Sequence, residues 1–196
     1  MATPTDTERI ILGIDPGTNI TGYGVIRCVG NRMAIINYGI IDMRKVKDND
    51  HSLKLKRIFE RTLGLIEEYL PDEMAIEAPF YGKNVQSMLK LGRAQGVAMA
   101  AALYREVPIR EYAPKKVKMA ITGSGNAGKS QVMAMLEKLL HFKFAEATAL
   151  DASDGLAVAV CHFLQRDLPQ HSPSKKKGNR KSAWGNFIAN NPDRLK

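Results

Sequence analysis

The sequence predicts an α/β fold: a five-stranded mixed sheet flanked by helices on both faces. Three observations carry that reading. Strand-like and helix-like segments follow the order three strands, helix, strand, helix, strand, helices, which suits a mixed sheet covered on two sides. The breaks between them carry turn chemistry, with Pro16-Gly17-Thr18-Asn19, Gly30-Asn31 and Pro71 at the boundaries. Asp15 and Glu77 end two of the apolar runs, at the strand ends where open α/β sheets take their ligands.

Residues 9–15 read as a buried strand, and the turn at 16–19 leads into strands over 20–29 and 32–42. This meander puts Asp15 at the tip of its first strand. Leu53, Leu55, Ile58, Phe59, Leu63, Ile66 and Leu70 give helical spacing over 52–69, with Ser52 as the cap and Pro71 as the stop. Residues 73–78 form a short strand carrying Glu77. The longest helix covers 84–106, capped by Asn84; its Gly92, Gly96 and Ala100 share one face, where another backbone of this chain or of a second copy can approach closely. Residues 108–112 read as a strand and 114–121 as a short helix with Pro114 in its first turn. A glycine-rich loop over 123–128 leads to a helix over 129–141, and the last helix covers 149–164. It carries Asp151 and Asp154, which share a face at i, i+3 spacing.

At 196 residues the chain suits one folded domain, over 9–167, between a flexible N-terminus (1–8) and a basic, disordered tail (168–196). Of the net charge of +9, residues 165–196 supply +6. Most of the basic character therefore belongs to a Pro/Ser/Lys-rich extension around Lys175-Lys176-Lys177, whose charge adds non-specific attraction for phosphate. No apolar stretch reaches the roughly 18–20 residues of a membrane span, and the first residues lack the basic and apolar regions of a signal peptide. Cys28 and Cys161 lie far apart and read as core residues of a reduced, cytoplasmic protein.

The chemistry points to the acids. Carboxylates at strand ends and on an apolar helix are costly unless paired or metal-bound. A cluster of Asp15, Glu77, Asp151 and Asp154 offers hard oxygen ligands to Mg²⁺ or Mn²⁺. Such clusters serve two-metal phosphoryl transfer, the usual way of cutting nucleic acid. His51, His141, His162 and His171 have no ligand-like spacing and read as surface or packing residues.

The run Ile11-Leu12-Gly13-Ile14-Asp15-Pro16-Gly17-Thr18, with Thr21-Gly22-Tyr23-Gly24-Val25, resembles the Holliday junction resolvases of the RuvC family. So do Ala75-Ile76-Glu77, Lys83-Asn84, Leu89 through Ala98, Val117-Lys118, Lys129-Ser130-Gln131-Val132 and Asp151-Ala152-Ser153-Asp154, all in the family's order. The resemblance implies a ribonuclease-H-like fold, a homodimer and paired symmetric nicks in a four-way DNA junction. It implies Asp15, Glu77, Asp151 and Asp154 as catalytic metal ligands for two Mg²⁺ ions per site, with Mn²⁺ able to substitute. It also implies DNA contacts from Phe80, Tyr81, Lys83, Asn84, Lys118 and Lys129. A branch-migration complex of the RuvA–RuvB type is the expected partner. Aromatic residues such as Phe80 and Tyr81, so close to the acids, suit stacking on unpaired bases.

Two other readings compete. Residues 123–130 fit the phosphate-binding pattern G-x-x-x-x-G-K-[ST]. That pattern needs a strand leading in and a helix leading out. The preceding Pro114–Ile121 segment reads as a charged helix, so a P-loop NTPase is disfavoured. A non-catalytic junction-binding protein is the other alternative, and four acids beside DNA phosphates give a pure binder no advantage.

Overall fold

A computed structural model describes residues 8–46, 49–79, 84–144 and 149–166. The strands are β1 (Glu8–Asp15), β2 (Ile20–Val29), β3 (Arg32–Asp42), β4 (Glu73–Glu77) and β5 (Ile109–Tyr112). They form one sheet in the order β3-β2-β1-β4-β5. The β3–β2 and β2–β1 pairs are antiparallel; the β1–β4 and β4–β5 pairs are parallel. The helices are α1 (His51–Tyr69), α2 (Val85–Tyr104), α3 (Pro114–Thr122), α4 (Lys129–Leu140) and α5 (Ala149–Arg166). The mixed five-stranded sheet with helices on both faces is therefore the architecture the element order predicts.

The two-residue period of a strand divides the core into two layers. Ile11 and Ala75 pack among Val117, Ile121, Val132 and Leu136 of α3 and α4 and the apolar run of α5. Leu12, Ile14, Met74 and Ile76 pack on the other face against α1 and α2. Asp15 and Glu77 continue the rows of Ile11 and Ala75, so both acids emerge on the α5 side.

That helix lies directly on the sheet because glycines line the contact. A Cβ on Gly13 would stand 2.4 Å from Ala159 N, one on Gly22 would stand 2.2 Å from Asp151 O, and one on Gly155 would stand 2.4 Å from Tyr23 N. The backbone bearing Asp151 and Asp154 is thus held against β2 and against β1, the strand bearing Asp15.

Several details differ from expectation. The cap of α1 is Asp50 rather than Ser52: its Oδ1 accepts from Ser52 N at 2.7 Å and Leu53 N at 3.2 Å. Ser52 already lies inside the first turn, where its backbone N–H is one of the groups needing an acceptor. Asn84 does cap α2, accepting from Ser87 N at 3.1 Å. That helix ends at Tyr104, two residues short of the expected limit, while α5 runs two residues beyond it, to Arg166. At Gly92 and Gly96 an added Cβ would meet nothing within 4 Å, so among the described residues nothing packs closely on them. Cys28 and Cys161 are free and buried, as expected, and burial pushes both thiols up to about 12. Among the described residues, no helix is long and apolar enough to cross a membrane. The expected N-terminal segment and basic tail lie outside the described residues apart from Glu8.

Candidate active site

β1 and β4 are parallel neighbours, in register through Ile14 and Ile76. The next residue of each strand is the acid, so Asp15 and Glu77 reach the same sheet edge together. The turn after Asp15 is fastened by its own sequence. Gly17 N donates to Thr21 Oγ1, and Thr21 Oγ1 donates to Gly17 O, both at 3.1 Å. Buried Lys54 donates to Asn19 Oδ1 at 2.7 Å, tying the turn to α1.

Asp15, Glu77 and Asp154 line one cleft of about 260 Å³ together with Lys118 and Lys129, over an apolar floor that includes Val117, Val132 and Ala157. Asp151 sits at the margin, with its side chain 47% exposed against 17% for Asp154. Lys129 Nζ joins the two helix acids: it is hydrogen-bonded to Asp154 Oδ2 and lies 3.8 Å from Asp151 Oδ1.

The cleft is short of positive charge. Burial first, and then the charge of Asp154, pushes the Asp15 carboxyl up to about 7. Burial, then Asp15 and Asp154, pushes Glu77 up to about 8. Asp154 is raised by burial too, against the lowering effect of its bond to Lys129. Burial works against charge on Lys129, yet its hydrogen bond to Asp154 and the surrounding acids raise its pKa above the ordinary value. Clustered hard-oxygen donors that repel one another in a half-enclosed cleft suit a divalent cation. Among the described residues, no three acidic, His or Cys side chains are gathered closely enough to form a ready metal cage. Asp154 is engaged by Lys129 instead. The donor chemistry fits a metal, provided Asp154 exchanges the ammonium for it.

Residues 11–162 match the family described as crossover junction endodeoxyribonuclease RuvC. The chain belongs to the RuvC family. The crossover junction endodeoxyribonuclease RuvC of Bacteroides fragilis is 61% identical over 190 residues, covering 96% of this chain and 97% of that one. The RuvC of Cytophaga hutchinsonii is 56% identical over 98% of this chain and 91% of its own. Among solved structures, T. thermophilus RuvC in complex with Holliday junction substrate superposes with a TM-score of 0.70 at 28% identity, covering 79% of this chain and 92% of that one. The RuvC family is one of metal-dependent nucleases.

Within this RuvC-family cleft, Lys118 is a second cation, and its charge lowers the carboxyl pKa of Glu77 and Asp154. Asn84 is exposed at the start of α2 with its side chain engaged as the helix cap. Phe80, Tyr81 and Lys83 lie outside the described residues. The phosphate-binding pattern at 123–130 is entered from helix α3, whose left-handed cap is Gly123, and not from a strand. Its lysine, Lys129, is committed to carboxylates.

Sequence reasoning missed the polar residues behind the cleft. Gln95 Nε2 donates to Glu111 Oε2 at 2.9 Å and, at 3.4 Å, to the backbone oxygen of Glu77. His162, read as a surface or packing residue, is buried with Nδ1 2.7 Å from Tyr112 Oη and Nε2 2.9 Å from Glu73 Oε2. The available signal was a histidine inside the apolar run of α5, a place where a polar ring needs partners.

Proposed function

We propose that this chain resolves Holliday junctions: as a homodimer it nicks two opposed strands of a four-way DNA junction symmetrically, by two-metal hydrolysis of phosphodiesters. The observation that carries this reading is the meeting of Asp15, Glu77 and Asp154 with Lys118 and Lys129 in one cleft of a RuvC-family chain. Asp15, Glu77, Asp151 and Asp154 are the proposed ligands, and Mg²⁺, or Mn²⁺ in its place, is the proposed metal. Two such ions supply the Lewis acidity that activates a water and stabilises the leaving 3′ oxygen.

The protein's own groups prepare that step. Asp15 and Glu77 are fixed by the ends of two parallel strands and would hold the metal as carboxylates, their protons lost to solvent. Asp154 would join them by giving up its bond to Lys129. Lys129 and Lys118 would then face the scissile phosphate, where each offers a point charge to the non-bridging oxygens. Phe80 and Tyr81 follow Glu77 within four residues and are proposed to hold unpaired bases near the crossover. Lys83 and Asn84 complete the proposed DNA contacts.

Paired nicks require two sites related by a two-fold axis, matching the symmetry of the junction. Helix α2 offers a surface for the second copy. Val85, Leu89 and Leu103 are exposed on it, and helical spacing puts them in one stripe with Gly92 and Gly96, where added Cβ atoms would meet open space. In the cell the enzyme is proposed to act in the cytoplasm on junctions delivered by a branch-migration motor of the RuvA–RuvB type.

The test is cleavage of an end-labelled mobile four-way junction beside a matched linear duplex, with Mg²⁺ and without ATP, on a denaturing gel. Symmetric nicks in opposed strands with the duplex intact are expected. A folded dimer that binds the junction but cuts it in no sequence context would favour a pure binding protein instead.

A further inference from the structure

We propose that Glu73, His162 and Tyr112 form a buried positioning network that sets the register of α5 against β4, and through it the approach of Asp154 to Glu77. The inference rests on reading the carboxylate cleft as the metal-dependent nuclease site.

The geometry is that of two rails and a rung. β4 starts at Glu73 and ends at Glu77, a rise of about 13 Å at strand spacing. Along α5, Asp154 and His162 are separated by about 12 Å at helical rise. The imidazole of His162 meets Glu73 at 2.9 Å, while Asp154 and Glu77 line the same cleft. The helix therefore runs antiparallel to the strand, pinned at one end by Glu73–His162, with its reactive carboxylate level with Glu77 at the other. Tyr112 ties the third element in. It is the cross-strand partner of Glu77 in the β4–β5 ladder, and its hydroxyl lies 2.7 Å from His162 Nδ1.

Directional contacts matter here because most of the α5 seat is apolar, and the hydrogen bond of Asp154 to Lys129 ties the helix to α4 rather than to the sheet. Buried apolar side chains and glycine backbone contacts hold the helix on the sheet, and hydrophobic contact has little angular preference. A slip of one residue would turn the helix by roughly 100° and shift it by about 1.5 Å, losing both hydrogen bonds of His162. One tautomer satisfies both contacts, with Nε2–H donating to the Glu73 carboxyl and Nδ1 accepting from the Tyr112 O–H. Burial pushes the Tyr112 phenol up to about 12, which keeps it a donor. These residues touch neither metal nor substrate; they act through Asp154 and Glu77.

The experiment compares the unmodified chain with Tyr112→Phe, Glu73→Leu and Glu73→Gln, the last of which keeps an oxygen to accept from Nε2. Three measurements are made: steady-state cleavage of a four-way junction for kcat and KM, Mn²⁺ affinity of the DNA-free protein by electron paramagnetic resonance, and Tm. Tyr112→Phe and Glu73→Leu are expected to lower kcat and Mn²⁺ affinity about tenfold, the range typical of groups that orient metal ligands, with KM within about twofold. Glu73→Gln is expected to stay close to the unmodified chain in all three. A lower Tm with kcat and Mn²⁺ affinity unchanged would reduce the network to a fold support and overturn the proposal. So would equal damage from Glu73→Gln and Glu73→Leu. Asp15→Asn in the same assays separates the two readings: failure of the unmodified chain to cut the junction, or cutting by Asp15→Asn, defeats the nuclease assignment, whereas Mn²⁺ affinities still report on the network.

Discussion

Lys129, the first residue of α4, hydrogen-bonds to Asp154 on α5, so the cation of one helix holds a carboxylate of the next. Three consequences separate a nuclease lysine from a nucleotide-binding one. Removing the ammonium with Lys129→Ala should slow junction cleavage about 100-fold, the order expected when one electrostatic stabiliser is lost. It should also tighten Mn²⁺ binding to the DNA-free protein, because Asp154 no longer has a competing cation. Calorimetry with ATP should show no binding in either form. Measurable ATP affinity that disappears in Lys129→Ala would instead make residues 123–130 a nucleotide site.

Asp15 and Glu77 should be separable from DNA binding. Both sit at the ends of strands that are in register, and neither Asp15→Asn nor Glu77→Gln changes the shape of the side chain. Each should lower cleavage by roughly 10³-fold or more, as removal of an essential group does, while an electrophoretic shift of the junction stays within a few-fold. Loss of junction binding by a normally folded Asp15→Asn protein would contradict the assigned role.

The same two carboxyls set a pH dependence in the absence of metal. Burial and neighbouring acids raise Asp15 from 3.8 to about 7 and Glu77 from 4.5 to about 8. Between the ordinary and raised values the folded chain keeps protons that the unfolded chain has released. Stability from these groups is therefore complete below pH of about 4 and is lost as pH rises through about 7 to 8. In chelator, Tm should fall by roughly 5 °C or more between pH 5 and pH 8.5. Saturating Mg²⁺ should remove most of that fall, and Glu77→Gln should flatten it without metal. A Tm in chelator that holds steady or rises across this interval would show that the acids are not buried together as described.

What could be read from the sequence follows from the range of each interaction. Asp15 and Glu77 were legible because each ends a short apolar run, an expensive place for an acid. Asp154 was legible because α5 is otherwise apolar. Asp151 joined it through i, i+3 spacing, which predicts a shared face but not that Asp151 would sit at the more exposed margin. Asp50 and Ser52 are both good caps, and which of them caps depends on where the first helical residue falls. The contacts of Lys129 with Asp154, of Tyr112 with His162 and of Glu73 with His162 span 25, 50 and 89 residues. Such contacts require the strand order and the helix register together, and neither is written in local pattern. Conversely, residues 123–130 match a local pattern whose meaning depends on a leading strand that this fold does not provide.

The seat of α5 gives a stability prediction with an internal control. A methyl on Gly13 would stand 2.4 Å from Ala159 N and Gly155 O and 2.8 Å from Ala159 Cβ. Two of those three atoms are backbone, so no rotamer change relieves the clash, and the helix has to lift from β1. Overpacking of this kind typically costs about 1–3 kcal/mol, and a backbone obstacle belongs at the upper end. Lifting α5 also draws Asp154 away from Asp15, so Gly13→Ala should lose cleavage beyond what its lowered stability explains at temperatures where it is fully folded. Gly64 in α1 is the control: an added Cβ there meets nothing within 4 Å, and Gly64→Ala should stabilise the helix by up to about 1 kcal/mol without changing kcat. Urea unfolding midpoints and single-turnover cleavage of the three proteins measure both effects. If Gly13→Ala unfolds at the same midpoint as the unmodified chain, α5 does not rest on β1 as closely as described.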